Sequence, residues 1–195
     1  MITSLSQLDP NEVYSYADYL AWKFEERIEL LRGHIAAMSA PSRTHQKISI
    51  NLSRIISQQL YRSTCEVYAA PFDVRLPHFD TRNNTQVVTV VQPDLCVICD
   101  ENKLDAKGCI GAPDLIIEIL SPGNSRREMK DKFEIYQEVG VKEYWIVNPT
   151  EKIVNIYIRN EVGKSVGLQP CVSDDIITTL IVPNLQVDLT EVFDY

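Results

Sequence analysis

Apolar and polar positions alternate along this chain with two different periods, and the switches between them outline its elements. Segment 15–24 (SYADYLAWKF) predicts a short helix, and segment 27–39 (RIELLRGHIAAMS) predicts two strands that turn at Arg32-Gly33. Ser42 or Thr44 is placed to cap a helix running to about Tyr61, with Ile48, Leu52, Ile55 and Ile56 at helical spacing. Strands are expected at 65–76 and 86–99, followed by a polar loop, DENKLDAKGCIGAP. The run DLIIEIL (114–120) is apolar on both faces, as a central strand covered on two sides would be. Ser121-Pro122-Gly123-Asn124 breaks it, and Asn124 or Ser125 can cap a helix that reaches about Val139, with Gly140 at its C-cap. KEYWIV (142–147) and IVNIYIR (153–159) read as further strands, and strand patterning continues from VGKSVGLQP through DDIITTL. Mixed strands with two or three helices predict an α/β or α+β sandwich.

A length of 195 residues fits one domain spanning 1–195, and a hydrophobic content of 45% is enough for a real core. No apolar run of about 18 residues exists, so no membrane span is expected. The start, MITSLSQLDPNEVY, has neither a basic beginning nor an apolar stretch of the secretory kind, so the expected location is the cytoplasm. A net charge of −8 argues against a surface coated in basic patches for nucleic acid, though not against a local basic groove. The odd count of five cysteines, Cys65, Cys96, Cys99, Cys109 and Cys171, predicts no disulfide framework in such a compartment. Cys96 and Cys99 form a CxxC inside a strand pattern, where they face opposite sides. They read as small buried hydrophobes rather than a zinc site.

Two charges interrupt the apolar strands. Asp94 precedes LCVIC and Glu118 lies in the middle of LIIEIL. A carboxylate in a central strand is costly unless it is paired or bound to a cation, and two on neighbouring strands repel unless a cation lies between them. Strand alternation places Asp114, Ile116, Glu118 and Leu120 on one face. Asp114 follows Pro113 at the strand's start, so it is the weaker member of the set and also fits a solvated strand end. The alternative for Glu118 is a buried ion pair with a basic side chain, and for Asp94 a turn-to-strand boundary after Pro93. On the following helix, Met129, Phe133, Tyr136, Ile135 and Val139 form an apolar arc. Lys132 falls inside that arc at about 100° per residue, and Lys130 falls on the opposite face. Lys132 is either a partner to the inward carboxylates or a lysine whose stem covers apolar surface while its head reaches water.

Three stretches carry a resemblance: RIELLRGHIAAMSAPSRTH, QPDLCVI and GCIGAPDLIIEILSPGNSRREMKDKFEIYQEVGVKEYWIVNP. Together they resemble the Uma-type family of restriction-endonuclease-like proteins within the PD-(D/E)XK nuclease superfamily, over roughly 14–160. The resemblance implies a restriction-endonuclease-like fold, with a central mixed β-sheet flanked by helices. It matches Asp94 to the aspartate of the first motif and Glu118 to the acid of the second. Leu120 stands where the superfamily's lysine is expected, and Lys132 matches a lysine that has migrated to the following helix. Glu29 matches a glutamate that can complete the acidic cluster, with a surface strand end as the alternative. His45 matches a recurrent position that either touches the site or packs beside it. The Tyr144-Trp145 pair reads as sheet packing.

The expected chemistry is hydrolysis of a DNA phosphodiester, with one or two Mg²⁺ or Mn²⁺ ions held by Asp94, Glu118 and the carbonyl of Ile119. Lys132 would orient or help deprotonate the attacking water, or neutralise charge on the phosphate. Arg126, Arg127 and Lys130 would meet the DNA backbone or form a solvated helix face. A homodimer fits cutting of both strands, by analogy. The competing expectations are a nuclease fold kept as an inactive binding or assembly module, and a metal-dependent protein whose partner is not DNA.

Overall fold

The computed structural model of the chain describes residues 2–23, 25–77, 83–121, 126–182 and 184–195, with Arg126 and Arg127 described by their backbone alone. The chain enters through α1 (Tyr16–Ala21), where the Ser15 hydroxyl accepts from the Asp18 N–H and the Asp18 carboxylate accepts from the Ser15 N–H. This reciprocal cap satisfies two donors that a helix start otherwise leaves open. β1 (Ile28–Leu31) and β2 (His34–Ala37) pair antiparallel across Arg32 and Gly33, at φ 52° and 84°. Positive φ at both turn positions matches the twist of the flanking strands. α2 (Arg43–Gln59) begins at Ser42, whose hydroxyl accepts from the His45 N–H. Its inner face carries Ile48, Leu52, Ile55 and Ile56, all buried.

The expected strands 65–76 and 86–99 are each two strands. β3 (Glu66–Ala69) and β4 (Val74–Arg75) are separated by Pro71, and β5 (Val90–Val91) and β6 (Leu95–Ile98) by Pro93. Proline has no N–H to give to a ladder, so each strand stops there and the chain crosses to another sheet. The polar segment expected as a loop folds into the hairpin of β7 (Leu104–Asp105) and β8 (Gly108–Ile110). β9 (Leu115–Ile119), α3 (Arg126–Val139) and β10 (Glu143–Asn148) form a strand–helix–strand unit, and Gly140 follows α3 with φ 89°. The expected turn at 122–124 and its capping residues Asn124 and Ser125 lie outside the described residues. The remaining elements are β11 (Ile153–Arg159), β12 (Ser165–Gly167), β13 (Cys171–Val172), β14 (Ile176–Thr178), β15 (Gln186–Asp188) and α4 (Leu189–Val192).

The main sheet has the order β12-β11-β10-β9-β6-β3, with β13 also on β11. Its one parallel pair is β9 with β10, because α3 carries the chain back between them. A second sheet, β2-β1-β5-β4-β8-β7, receives the strands that the prolines divert, and β14 pairs with β15 alone. Alternation along β9 sorts the core. Leu115, Ile117 and Ile119 join α2, α4, Trp145 and Val187 on one face, while Ile116 joins Cys96, Ile135, Tyr136 and Tyr144 under α3 on the other. A strand buried on both faces is why DLIIEIL shows no polar alternation.

The absence of disulfides is corrected. Cys65 and Cys99 flank the cross-strand pair Glu66–Ile98, so antiparallel pairing sets them opposite each other, and they are joined in a disulfide. Their separation of 34 residues hides this until the strands pair. Cys96 and Cys99 do face opposite sides, and Cys96 and Cys109 are buried free thiols. Among the described residues, no helix is long and apolar enough to cross a membrane.

Gly108 ties the second sheet together. Its φ is 123°, a Cβ there would strike the Asp73 carbonyl, and the neighbouring Cys109 N–H donates to that carbonyl at 2.9 Å. Gly108→Ala should therefore cost roughly 2–3 kcal/mol, read as a lower urea midpoint at unchanged slope. An unchanged midpoint would show that the β4–β8 contact tolerates a side chain.

Candidate functional site

The carboxyl end of β9 and the prolines of the strand crossings bring six chain segments to one cleft. Its cavity of about 170 Å³ is lined by Arg27, Glu29, His45, Gln92, Asp94, Glu118, Ile119 and Lys132, among others. Glu118 arrives because alternation turns it to the α3 side of the sheet, beside Ile116. Lys132 arrives from α3, whose residues Met129, Phe133, Ile135, Tyr136 and Val139 all pack in the same core cluster. Its ammonium lies 3.0 Å from Glu118 Oε1 and 2.9 Å from Glu29 Oε2, and its side chain is only 9% exposed. Lys130 is on the solvated side, paired with Glu134 at 3.7 Å. The side chains of Arg126 and Arg127 lie outside the described residues.

Glu29 is the most enclosed of the cleft's acids, at 1% exposure, so it is no surface strand end. It also accepts the Gln92 N–H at 2.8 Å. Glu118 Oε1 takes a second donor, the Tyr136 hydroxyl, at 2.7 Å. The ion pair offered as one reading of Glu118 is thus present, inside the cleft rather than apart from it. Asp94 lies at the strand boundary after Pro93, and the same residue reaches the cleft: its Oδ2 accepts from the Ile119 N–H at 2.7 Å and bonds His45 Nε2 at 3.1 Å. Pairing of β6 with β9 is recorded as far as Leu95–Ile117, so Asp94 satisfies the donor of Ile119 just beyond it. His45 touches the site rather than merely packing beside it, and among the described residues its buried Nδ1 has no hydrogen-bond partner.

Asp114 does not join this group. It sits at the other end of β9, where it accepts from Lys142 Nζ at 2.6 Å and from the Cys99 N–H at 2.8 Å. Four residues of strand place it about 13 Å from Glu118 along the chain. Tyr144 and Trp145 are core packing, as expected: Trp145 is fully buried and Tyr144 meets the Tyr136 ring edge-on at 5.0 Å.

Residues that bond the cluster or line the cleft escaped the sequence reading, Tyr136, Arg27 and Gln92 among them. Tyr136 lies one helical turn after Lys132, so an i, i+4 reading for polar tips could have found it. Arg27 and Gln92 lie two residues before Glu29 and Asp94, the spacing that puts strand neighbours on one face. Gln92 Oε1 accepts from Arg27 Nε at 3.2 Å and Nη2 at 2.8 Å.

The charges shift one another. Burial pushes Glu118 up from its ordinary 4.5 to about 7, with Asp94 and Glu29 adding to the rise and Lys132 opposing it. Burial alone would pull Lys132 down, but the charges and bonds of Glu118 and Glu29 hold its ammonium well above its ordinary value. Burial likewise lowers His45, and the bond and charge of Asp94 outweigh it, so the imidazole ends above its ordinary 6.5. Glu118 and Glu29 thus face one firmly protonated lysine, and Asp94 faces His45. Among the described residues no three His, Cys, Asp or Glu side chains converge as a metal-binding group.

Comparison with known proteins adds three findings. Residues 16–190 match the model of a family described as "Uma2: Putative restriction endonuclease". Two uncharacterized proteins of Synechocystis sp. are similar in sequence. One, slr1290, is 29% identical over 149 residues, covering 75% of this chain and 74% of that protein. The other, sll1609, is 24% identical over 142 residues, covering 70% of this chain and 76% of that protein. A crystal structure from Anabaena variabilis, described as "a putative nuclease belonging to DUF820", superposes with a TM-score of 0.70 at 18% identity, covering 92% of this chain and 97% of that one. The fold is accordingly the expected restriction-endonuclease-like α+β fold, with a second sheet beside the mixed central one.

Removing the ammonium would leave Glu29 and Glu118 buried without a counter-charge. Lys132→Met should lose roughly 3–5 kcal/mol in denaturant titration near pH 8, and less near pH 5, where the acids can take up protons. A raised carboxyl contributes stability that is complete below its ordinary 4.5 and is lost as pH climbs through about 7. Melting temperature of the wild type should consequently fall across that window more steeply than that of Glu118→Gln. Parallel curves would contradict the burial argument for Glu118.

Proposed function

The chain belongs to the Uma2 family, and on that premise we propose that its cleft hydrolyses DNA phosphodiester bonds with one or two bound Mg²⁺ or Mn²⁺ ions. The observation that carries the proposal is the cleft's charge: the carboxylates of Glu29, Asp94, Glu118 and Glu128 line it with two cations, Lys132 and Arg27, and one imidazole, at the end of a central strand. That surplus is unfavourable in a partly closed cavity unless a cation or protons offset it. The donor set suits a small hard cation. Mg²⁺ keeps several waters and needs only one or two carboxylates, so no cage of three protein side chains is required.

Asp94 and Glu118 would hold the ion, with the Ile119 carbonyl as the further oxygen at the end of the β6 pairing. A bound divalent ion supplies a lowered pKa for a coordinated water and stabilisation of charge on the phosphate. Asp94 has Oδ2 committed to Ile119 and His45, which fixes its rotamer, and Oδ1 would be its oxygen for the ion. Glu118 is oriented by Lys132 and by the Tyr136 hydroxyl. Lys132 is held as an ammonium, so it orients the water and meets developing negative charge on the phosphate. An ammonium this firmly protonated is a poor proton acceptor, which argues against a role in deprotonating the water.

One observation favours a second reading. Glu118 already satisfies two donors, Lys132 and Tyr136, as a purely structural carboxylate would. A nuclease fold retained as a binding or assembly module would need no more than that.

Supercoiled plasmid separates the two readings. With Mg²⁺ or Mn²⁺ the wild type should nick or linearise it, and Asp94→Ala should reduce the rate roughly a hundredfold or more. No cleavage of duplex, single-stranded or branched DNA, together with no metal uptake by calorimetry, overturns the nuclease reading. Full activity in Lys132→Ala would refute the role given to that lysine alone.

A further inference from the structure

Arg27 lines the same cleft and is exposed. Arg32, Arg54 and Arg75 each face a carboxylate at 2.6–2.7 Å, whereas among the described residues Arg27 makes no ion pair. Its recorded partner is a neutral oxygen, Gln92 Oε1, which takes one N–H from Nε and one from Nη2. Those two bonds occupy one side of the guanidinium plane. The outer edge, formed by Nη1 and the second hydrogen of Nη2, keeps the parallel pair of donors that fits two oxygens of a phosphate.

The holder is itself held. Gln92 is buried, at 7% exposure, and its Nε2 donates to Asp73 Oδ1 at 2.9 Å and to the Tyr19 hydroxyl at 3.2 Å. An ionised carboxylate only accepts, so Asp73 turns the amide nitrogen inward and the amide oxygen outward to Arg27. Asp73 is fixed in turn by the Tyr16 hydroxyl at 2.9 Å. Through its backbone N–H, Gln92 also grips Glu29, the partner of Lys132. One residue therefore sets both the arginine and the acidic cluster, and their spacing does not depend on a mobile side chain.

We infer that Arg27 is a substrate-binding residue that grips a backbone phosphate of the nucleic acid through its outer edge, and that Gln92 is the positioning residue that aims it. The inference rests on the nuclease reading and deepens it: in a chain of net charge −8, phosphate contact falls to individual placed cations. A guanidinium pinned beforehand loses little side-chain freedom when phosphate arrives.

The test is binding of a fluorescent DNA duplex, followed by anisotropy in Ca²⁺ over a series of salt concentrations. Arg27 is exposed, so Arg27→Ala should fold normally; it should bind about tenfold more weakly and reduce the salt slope by about one. Arg27→Lys should keep the slope and lose most of the affinity. Gln92→Leu should weaken binding several-fold with the slope retained, because the charge remains but is no longer aimed. Lys164→Ala, at the opposite end of the main sheet, serves as the control and should match the wild type. Metal uptake by calorimetry should be the same in Arg27→Ala as in the wild type. If the wild type binds duplex and Arg27→Ala binds it equally well, the inference falls and the nuclease reading stands. If the wild type binds neither duplex nor metal, both fall.

Discussion

A single ammonium, that of Lys132, holds this structure's polar interior together. It joins Glu118 of the main sheet to Glu29 of the second sheet and is itself carried on α3. Three elements from distant parts of the chain therefore meet at one charge. Buried ion pairs rarely exceed a hydrophobic alternative in stability. What this one provides is geometry, because two acids and a lysine satisfy one another only when both sheets and the helix sit in one arrangement. Asp94 lies beside the same cluster, bonded to His45 and to the Ile119 N–H.

The strand interruptions serve that arrangement. Pro71 and Pro93 end β3 and precede β6, and between them the chain leaves the main sheet to build β4 and β5 of the second. Without that crossing, Glu29 and Gln92 would have no route to Lys132 and Asp94. Side chains beside the break at Pro93 take up the open ladder donors: the Asp94 carboxylate caps the Ile119 N–H, and the Glu29 carboxylate caps the Gln92 N–H. Local breaks in regular pairing thus become the places where polar side chains enter an apolar interior. The ends of central strands are the general location for this, since there the backbone stops consuming its own donors.

Several features were legible along the chain. The short helix over 15–24, the cap at Ser42 and the hairpin at Arg32-Gly33 rest on contacts within a few residues, and the doubly covered strand shows in the unbroken apolar run of DLIIEIL. Their physics is local, and the sequence states it directly. The same holds for Lys132, whose place in an apolar helical arc follows from periodicity alone. Other features depend on pairing between distant segments. The crossing of two apparent strands between sheets, the hairpin in a polar stretch and the bond between Cys65 and Cys99 all needed a partner strand to reveal them.

The candidate site divides along the same line. By itself the sequence determined which charges could not lie comfortably where periodicity put them: Asp94 and Glu118 among apolar strand residues, and Lys132 on an apolar helix face. Buried charge is costly wherever it falls, so the anomaly is visible before any fold is known. Only the tertiary structure decided how the anomaly is resolved. It brought Glu29, His45, Tyr136, Gln92 and Arg27 to those charges and left Asp114 at the far end of the same strand with Lys142. Alternation assigns Asp114 and Glu118 to one face, but it carries no information about which end of the strand a cleft will form at. That depends on where the second sheet meets the first, a property of long-range packing that no local pattern contains.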